Sequence, residues 1–322
     1  MISILSQAHS IEMARAFRIA RGARAHCDVV RVTLDYHGLQ SEAECTPYPR
    51  YGESVNSVQE QIRQFSRAIE HLAPNVARQA LQQQPAGAAR NALDCALWRL
   101  EAALADSHFP APYFAISPNI ETAMTVSVDT PSAMAEQASE YVASGASLLK
   151  IKLDEQQIIE RLQAVRASVP STKIIVDANE AWTHLDLADL FVRLAELDIA
   201  MIEQPVMKGE DERLRNIAHP VALCADESCH TRDDLPALTG CYEMINIKLD
   251  KSGGLTEALA LEQAARGLGM SIMVGCMLGT SMAMKAALPL ATRAEIVDLD
   301  GPVLLGQDCA DGLQYHRGRL WI

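Results

Sequence analysis

Five short apolar runs, each carrying charge at or near its C-terminal end, recur through the second half of this chain at nearly constant spacing. They are SLLKIKLD at Ser147–Asp154, IIVD ending at Asp177, AMIE at Glu203, ALCAD at Asp226 and INIK at Lys248. From Lys152 through Asp177, Glu203 and Asp226 to Lys248 the successive steps are 25, 26, 23 and 22 residues. Each step fits one strand plus one returning helix, which is how parallel strands must be joined. In the first run Leu148, Leu149, Ile151 and Leu153 read as a buried strand, interrupted by Lys150 and Lys152. A side-chain period of 2 puts both ammonium groups on one face. Two like charges on an otherwise buried strand are costly unless something uses them.

The same alternation extends over eight candidate strands: Thr122–Val128, Ser147–Leu153, Lys173–Asp177, Ala200–Glu203, Val221–Asp226, Met244–Leu249, Ser271–Cys276 and Glu295–Leu299. Helix-like segments lie between them. The clearest is Thr256–Gly267, with Ala258, Leu261, Ala265 and Leu268 on one stripe and Gly269 past its end. Eight strands and seven helices describe an α/β fold, a (β/α)7β barrel related to the TIM barrel. An open doubly wound sheet is the alternative, weakened by the lack of Gly-x-Gly-x-x-Gly after the first strand.

Upstream, residues 1–56 are β-rich, with a strand at Val29–Tyr36 and a turn at His37-Gly38. Two loops, Ala20–Arg24 and Cys45–Ser54, are either surface connections or lids over a ligand. Residues 57–105 read as helical, with Ser57 as N-cap and Glu60 as its capping-box partner. Ala89, Leu93, Leu97, Leu100 and Leu104 form one stripe, and Trp98 and Asp94 read as helix core and helix surface. Phe109-Pro-Ala-Pro breaks the helix and marks a linker. The expected division is an N-terminal α+β domain at 1–115 and a barrel at 116–302, with the tail at 303–322 returning to the N-terminal domain.

An apolar fraction of 49% supplies ample core for 322 residues. A net charge of −13 argues against nucleic acid and against anionic membrane, both of which attract basic surfaces. The N-terminus shows no basic segment followed by an apolar one, and no run approaches a membrane span. The eight cysteines are scattered without Cys-x-x-Cys, as expected of reduced thiols in a cytoplasm. No His-x-His or His-Glu-x-x-His occurs, which disfavours a histidine zinc site.

Active sites of such barrels lie at the C-terminal ends of the strands, where these charges fall. Asp177, Glu203 and Asp226 come from three consecutive strands. Three carboxylates brought together repel unless a cation neutralises them, and hard oxygen ligands suit Mg²⁺ better than Zn²⁺. Lys152 and Lys248 flank that position. A nearby cation and the second ammonium of Lys150 would lower a lysine pKa from its ordinary value of about 10.4. A base on each face of a bound carboxylate can remove the α-proton and return it from the other side. Racemisation or epimerisation through an ene-diolate follows from that arrangement.

KIK, DAN, EQP, ADES and NIKLDKSGGLTEAL resemble the enolase superfamily, specifically its muconate-lactonising subgroup, a superfamily in which a Lys base works with Mg²⁺ on an ene-diolate. RGAR at 21–24, ECTPYPRYGES at 44–54, PAGAARNALDCALW at 85–98, VGCM at 274–277 and DLDGP at 298–302 narrow the resemblance to bacterial dipeptide epimerases acting on L-Ala-D/L-Glu. The resemblance covers nearly the whole chain and makes residues 1–115 a capping domain. It implies that Asp177, Glu203 and Asp226 bind Mg²⁺ and that Lys152 and Lys248 are the acid/base pair. It further implies that Lys150 binds the substrate carboxylate, that Asp298 and Asp300 hold the dipeptide ammonium, and that Arg24 reaches the glutamate side chain. Thr125 and Cys276 would line the pocket, though either also suits a barrel interior, and Asp298 and Asp300 also suit a structural strand end.

The resulting reading is a cytoplasmic dipeptide epimerase serving murein peptide metabolism, with a small dipeptide as its partner. Relatives commonly assemble, so a homo-oligomer stays open. An o-succinylbenzoate synthase or muconate-type cycloisomerase shares the half-reaction but has no use for paired acids facing an ammonium. A non-catalytic metal-dependent binding protein would have no need of two buried lysines.

Overall fold

A computed structural model describes residues 1–322, apart from the side chains of residues 16 and 17. The chain opens with an antiparallel sheet of β1 (Ser3–Ile19), β2 (Gly22–Tyr36) and β3 (Leu39–Cys45). His37 and Gly38 turn the second hairpin with φ of 55° and 83°, the two-residue turn whose twist suits paired strands. The basic segment at 20–24 is not an open loop. Pairing continues to Ile19↔Gly22, so Ala20 and Arg21 form the tip of a long ribbon and Arg24 sits on β2. The period of 2 lets β2 bury both faces: Val30, Val32 and Leu34 join the main core, while Cys27 and Val29 pack with Met13 and Leu305.

Three helices follow: α1 (Val55–Ile69), α2 (Pro74–Leu81) and α3 (Ala88–Leu104). The N-cap of α1 is Ser54, not the expected Ser57. Ser54 has the extended backbone a cap requires, and Ser57 is its reciprocal partner three residues on. Glu60 pairs instead with Arg63. On α3, Leu93, Leu97 and Leu100 are fully buried, but Leu104, at the helix end, is 46% exposed.

The second unit alternates β5 (Met124–Val126), α4 (Pro131–Ala143), β6 (Leu148–Lys152), α5 (Ile158–Ser168), β7 (Lys173–Asp177), α6 (Leu187–Glu196) and β8 (Ile199–Glu203). It continues through β9 (Ala222–Ala225), α7 (Leu235–Leu238), β10 (Met244–Ile247), α8 (Leu249–Ser252), α9 (Leu255–Gly267), β11 (Ser271–Gly275), α10 (Ser281–Ala291) and β12 (Ile296–Asp298). The eight strands β5–β12 form one parallel sheet in sequence order. Ala123 N donates to Val297 O at 2.8 Å, bringing the first strand against the last, so the sheet is a nearly closed barrel. The two shortest crossovers do not hold full helices. A 3-10 segment, Asp211–Asn216, spans β8 to β9, and a 3-10 turn plus four-residue α7 spans β9 to β10. Pro205, Gly209 and Pro220, then Pro236 and Gly240, break up those stretches.

Asp94, read as helix surface, is fully buried, because α3 lies between the N-terminal sheet and the α8–α9 segment and loses solvent on both sides. Its carboxylate accepts from Thr256 N at 2.9 Å, capping α9, and Trp98 Nε1 donates to Thr256 Oγ1 at 3.0 Å. The tail returns to the N-terminal domain only near its start. Near its start it touches β1, through Leu305 beside Met13 and Gly306 N donating to Glu12 O. Its strands β13 (Gln314–His316) and β14 (Arg319–Trp321) then pair with β4 (Asn119–Glu121), just ahead of the barrel, and not with the N-terminal sheet. β4 offers an edge there that no barrel strand occupies, whereas β6–β11 are paired on both sides.

Each of the eight cysteines is a free thiol. Among the described residues no helix is long and apolar enough to cross a membrane.

Candidate active site

The barrel interior is layered by the strand period. Ala123, Leu148, Ile175, Met201, Cys224, Met244, Met273 and Ile296, one from each strand or its immediate edge, form a single buried apolar floor. Two residues further along, the inward positions become Thr125, Lys150, Asp177, Glu203, Asp226, Asn246, Gly275 and Asp298. One further inward step adds Lys152 and Lys248. The polar layer therefore sits on the floor at the C-terminal rim.

Lys150 is the hub of that layer and is 1% exposed. Its ammonium lies 2.6 Å from Glu203 Oε2, 2.8 Å from Asp298 Oδ2 and 3.1 Å from Asp177 Oδ2. Lys152 donates to Asp177 Oδ2 at 2.5 Å and Lys248 to Asp226 Oδ2 at 2.6 Å. Asn179 donates through its backbone N to Asp177 Oδ1 at 2.8 Å and through Nδ2 to Asp177 Oδ2 at 3.2 Å. Asp300 lies just past β12 and accepts from Thr125 N at 2.7 Å, closing the barrel at its rim.

The charges perturb one another as their contacts require. Burial opposes ionisation of Asp177, but Lys152 and Lys150 outweigh it and hold the carboxyl far below its ordinary value. Asp226 is likewise held well down by Lys248 and Lys251 against burial. Glu203 goes the other way: burial and the neighbouring Asp177 push it up to about 7. Burial and Asp298 push Asp300 to about 7. Lys150 and Lys248 are shifted as well. Burial does disfavour their charge, but Asp298, Glu203 and Asp177 outweigh it at Lys150, and Asp226 and Glu203 at Lys248, so both sit above the ordinary value.

Above this layer lies a cleft of about 750 Å³, counting space open to solvent. Lys150, Lys152, Lys248, Asp226, Asp298 and Asp300 line its barrel side, with Thr125 and Cys276. Arg21, Arg24, Tyr48 and Tyr51 line the cap side. The Arg24 guanidinium stands 5.0 Å from the Tyr48 ring centroid and, among the described residues, has no ion-pair partner. Burial, with Asp298 and Asp300 nearby, raises the Cys276 thiol well above its usual range.

Asp177, Glu203 and Asp226 fall on consecutive strands, but among the described residues no three carboxylate, imidazole or thiol groups converge enough to enclose an ion. Lys150 bridges Asp177 to Glu203, and Lys248 and Lys251 occupy Asp226. The donor set still suits a hard divalent cation. All three are carboxylates, and Glu203 Oε2 is a buried acceptor to which no group donates, since the 2.6 Å approach of Lys150 lacks hydrogen-bond alignment.

Comparison with known proteins identifies the family and the fold. The "Enolase C-terminal domain-like" family model matches residues 133–322. The L-Ala-D/L-Glu epimerase of Escherichia coli (strain K12) is 50% identical over 95% of this chain and 95% of its own length. This chain belongs to the dipeptide epimerase family of the enolase superfamily. It is an isomerase. An N-acetyl-D-glutamate racemase from a Pseudoalteromonas species is 44% identical over 91% of both chains. The solved structure of a dipeptide epimerase from Enterococcus faecalis V583, complexed with Mg and the dipeptide L-Leu-L-Tyr, has a TM-score of 0.91 at 29% identity, covering 99% of this chain and 96% of that one.

Several site groups escape sequence reasoning. Lys251 is fully buried and donates to Asp226 Oδ1 at 2.6 Å, Asp226 O at 2.5 Å and Asn246 O at 2.9 Å. The β9–β10 ladder ends one residue earlier, at Ala225↔Ile245, so this ammonium ties the two strand ends together. Asn246 Nδ2 donates to Glu203 Oε1 at 2.7 Å. Its position two before Lys248, hence on the same face, was the available signal. Arg21 and Arg50 clamp the cap to the barrel. Arg21 reaches Glu227 at 2.7 Å and Glu180 at 3.0 Å, and Arg50 grips Glu180 with two bonds of 2.8 Å. Nothing local in the sequence pairs residues that lie so far apart in the chain.

Proposed function

We propose that this enzyme inverts the glutamyl α-carbon of L-Ala-D/L-Glu-type dipeptides by two-base proton transfer between Lys152 and Lys248. One observation carries the reading: β6 and β10 are four strands apart in an eight-stranded barrel, so their lysines face each other across its mouth. One amine takes the α-proton from its face of the substrate, and the other, protonated, delivers a proton to the opposite face. Lys150, held over the floor by three carboxylates, fixes the substrate α-carboxylate. Arg24, whose guanidinium on the cap side has no ion-pair partner among the described residues, takes the side-chain carboxylate. Asp298 keeps a buried oxygen, Oδ1, to which nothing donates, and with Asp300 it suits the substrate ammonium. Asp177, Glu203 and Asp226 would hold Mg²⁺, which would supply a Lewis acid for the substrate carboxylate as its α-proton leaves.

Proton transfer also needs a free amine. The carboxylates hold the Lys248 ammonium above its ordinary value, so a cation taking over Asp226 would relieve that restraint. The reading places the enzyme in a cytoplasm, where eight free thiols persist, in the turnover of murein peptides. Incubation with L-Ala-D-Glu and Mg²⁺ in D₂O is the test. Formation of the L,L epimer with deuterium at the glutamyl α-carbon is expected, and absence of both overturns the reading.

A second reading has its own support. Asp298 is ion-paired to Lys150 and Asp300 is bonded to Thr125 N, so neither acid is wholly free for an ammonium. The racemase relative acts, by its name, on N-acetyl-D-glutamate, which has none. A kcat/KM for N-acetyl-D-glutamate above that for L-Ala-D-Glu would favour it. Replacing both Asp298 and Asp300 by Asn separates the two, because only dipeptide turnover should suffer.

A further inference from the structure

The two lysines assigned to proton transfer are held by different parts of the molecule. Lys152 is a strand residue, in register with Asp177 across β6 and β7. The next residue, Leu153, donates its N–H to Asp177 O at 3.0 Å. Among the described hydrogen bonds, those of residues 148–154 run only to other barrel residues. Among the described residues Lys248 has no backbone ladder, and its turn is tied to the barrel through side chains alone, by its own bond to Asp226 and by Lys251. The β10 ladder ends at Ile247↔Val274 on one side and Ile245↔Ala225 on the other, so Lys248 stands beyond it as the first residue of a bend into α8.

That bend is gripped from the cap. Arg90, on α3, donates to Ser252 O at 2.6 Å and to Gly253 O at 3.0 Å. Asn91 Nδ2 donates to Asp250 Oδ1 at 2.8 Å, and Thr46 N donates to the same oxygen at 3.1 Å. Gly253 and Gly254, at φ of 75° and 111°, let the bend come this close: a Cβ on the first would strike Arg90, and on the second Asp94. Three residues of the cap, Arg90, Asn91 and Thr46, thus help hold the single turn that follows Lys248, while Lys152 is held by barrel residues alone.

We infer that helix α3 of the cap positions Lys248, through the Asn91–Asp250 bond above all, and leaves Lys152 unaffected. The inference rests on the two-base reading above. Neither Asn91 nor Asp250 lines the catalytic cleft, so both are positioning residues and not catalytic ones. A base displaced by a fraction of an ångström loses its aim at the α-carbon, and a misplacement of about 1 Å can cost about 10²-fold. The loss falls only on the epimer whose proton that base removes.

Exchange of the α-proton in D₂O, followed by NMR from each epimer separately with Mg²⁺ present, reads the two bases independently. Lys152→Ala and Lys248→Ala first assign an epimer to each lysine. Asn91→Ala is then expected to slow exchange of the Lys248 epimer about tenfold more than that of the Lys152 epimer. Asp250→Ala, which also loses the bond from Thr46 N, should slow that epimer at least as much, and the double variant should add nothing beyond Asp250→Ala. Asn91→Ser serves if Asn91→Ala does not fold. Arg99→Ala loosens the same helix elsewhere, where Arg99 donates to Met282 O and Glu42 O at 2.7 Å, and should leave the ratio of the two rates alone. Equal slowing of both epimers, no slowing, or an equal shift by Arg99→Ala overturns the inference while the two-base reading stands. Wild-type protein that exchanges neither epimer sinks that reading, and the inference with it.

Discussion

Lys150 is the most heavily committed side chain in the site, and its commitments separate it from its neighbours. It meets three carboxylates, whereas Lys152 and Lys248 meet one each. A buried ammonium shared by three acids is a structural charge, and removing it leaves those acids uncompensated. Lys150→Met is therefore expected to destabilise the fold by about 3–5 kcal/mol, seen as a lower denaturant midpoint. Lys152→Ala and Lys248→Ala should cost less stability but reduce epimerisation by about 10²–10⁴-fold, the range for loss of a general acid or base. Full turnover by either alanine variant contradicts two-base catalysis. Arg24 is a different case, since among the described residues it has no ion-pair partner to strand. Arg24→Leu should leave the melting temperature unchanged and raise KM for glutamyl dipeptides by about 10- to 100-fold, the worth of a charge-assisted bond of about 1.5–3 kcal/mol. Uncharged dipeptides should be spared, and an equal loss for both substrates would rule out a specificity role.

The cap segment from Cys45 to Ser54 docks on the loop after β9 through Tyr51, whose ring meets His230 edge-on at 4.5 Å. His230 Nε2 lies 3.1 Å from Glu227 O, and burial, reinforced by Lys251 and Lys208, lowers its pKa from 6.5 to about 4. The unfolded chain thus binds this proton first. The stability from neutral His230 is complete above pH 6.5 and is lost as pH falls to about 4, on the order of 3 kcal/mol in total. His230→Gln should flatten that part of the stability–pH curve, measured as the difference between variant and wild type, and parallel curves would refute the assignment. The same elements show what sequence can and cannot disclose. Strand ends carrying Asp177, Glu203, Asp226 and Lys248 were legible because strand period and crossover length are local quantities. Capping at Ser54 was misplaced by three residues because two serines compete within one turn. Burial of Asp94, the pairing of the tail with β4 and the roles of Arg21 and Lys251 were not legible. Each depends on what packs opposite, and Arg21 and Glu227 stand 206 residues apart.

Across the whole molecule, Asp177, Glu203 and Asp226 are buried together with Lys150, Lys152, Lys248 and Lys251. With Asp298, the third carboxylate on Lys150, four acids and four amines in one cluster cancel, so the barrel does not need a metal ion to neutralise its interior. The Arg21 and Arg50 clamps and the seat of α3 on the α8–α9 segment tie cap to barrel on two sides of the mouth. Chelation with EDTA is accordingly expected to abolish turnover while leaving one cooperative thermal transition. Adding Mg²⁺ at about 100 times its Kd should then restore activity and add about 2.7 kcal/mol of stability by mass action. At about 2–4 °C per kcal/mol for domains of roughly 150–250 residues, the melting temperature should rise by about 5–10 °C. Scanning calorimetry with and without Mg²⁺ reads both effects. A chelated protein that is unfolded would mean the lysines do not balance the acids. Two separate transitions would mean the clamps do not couple the units. A melting temperature indifferent to Mg²⁺ would mean the three carboxylates do not hold the ion.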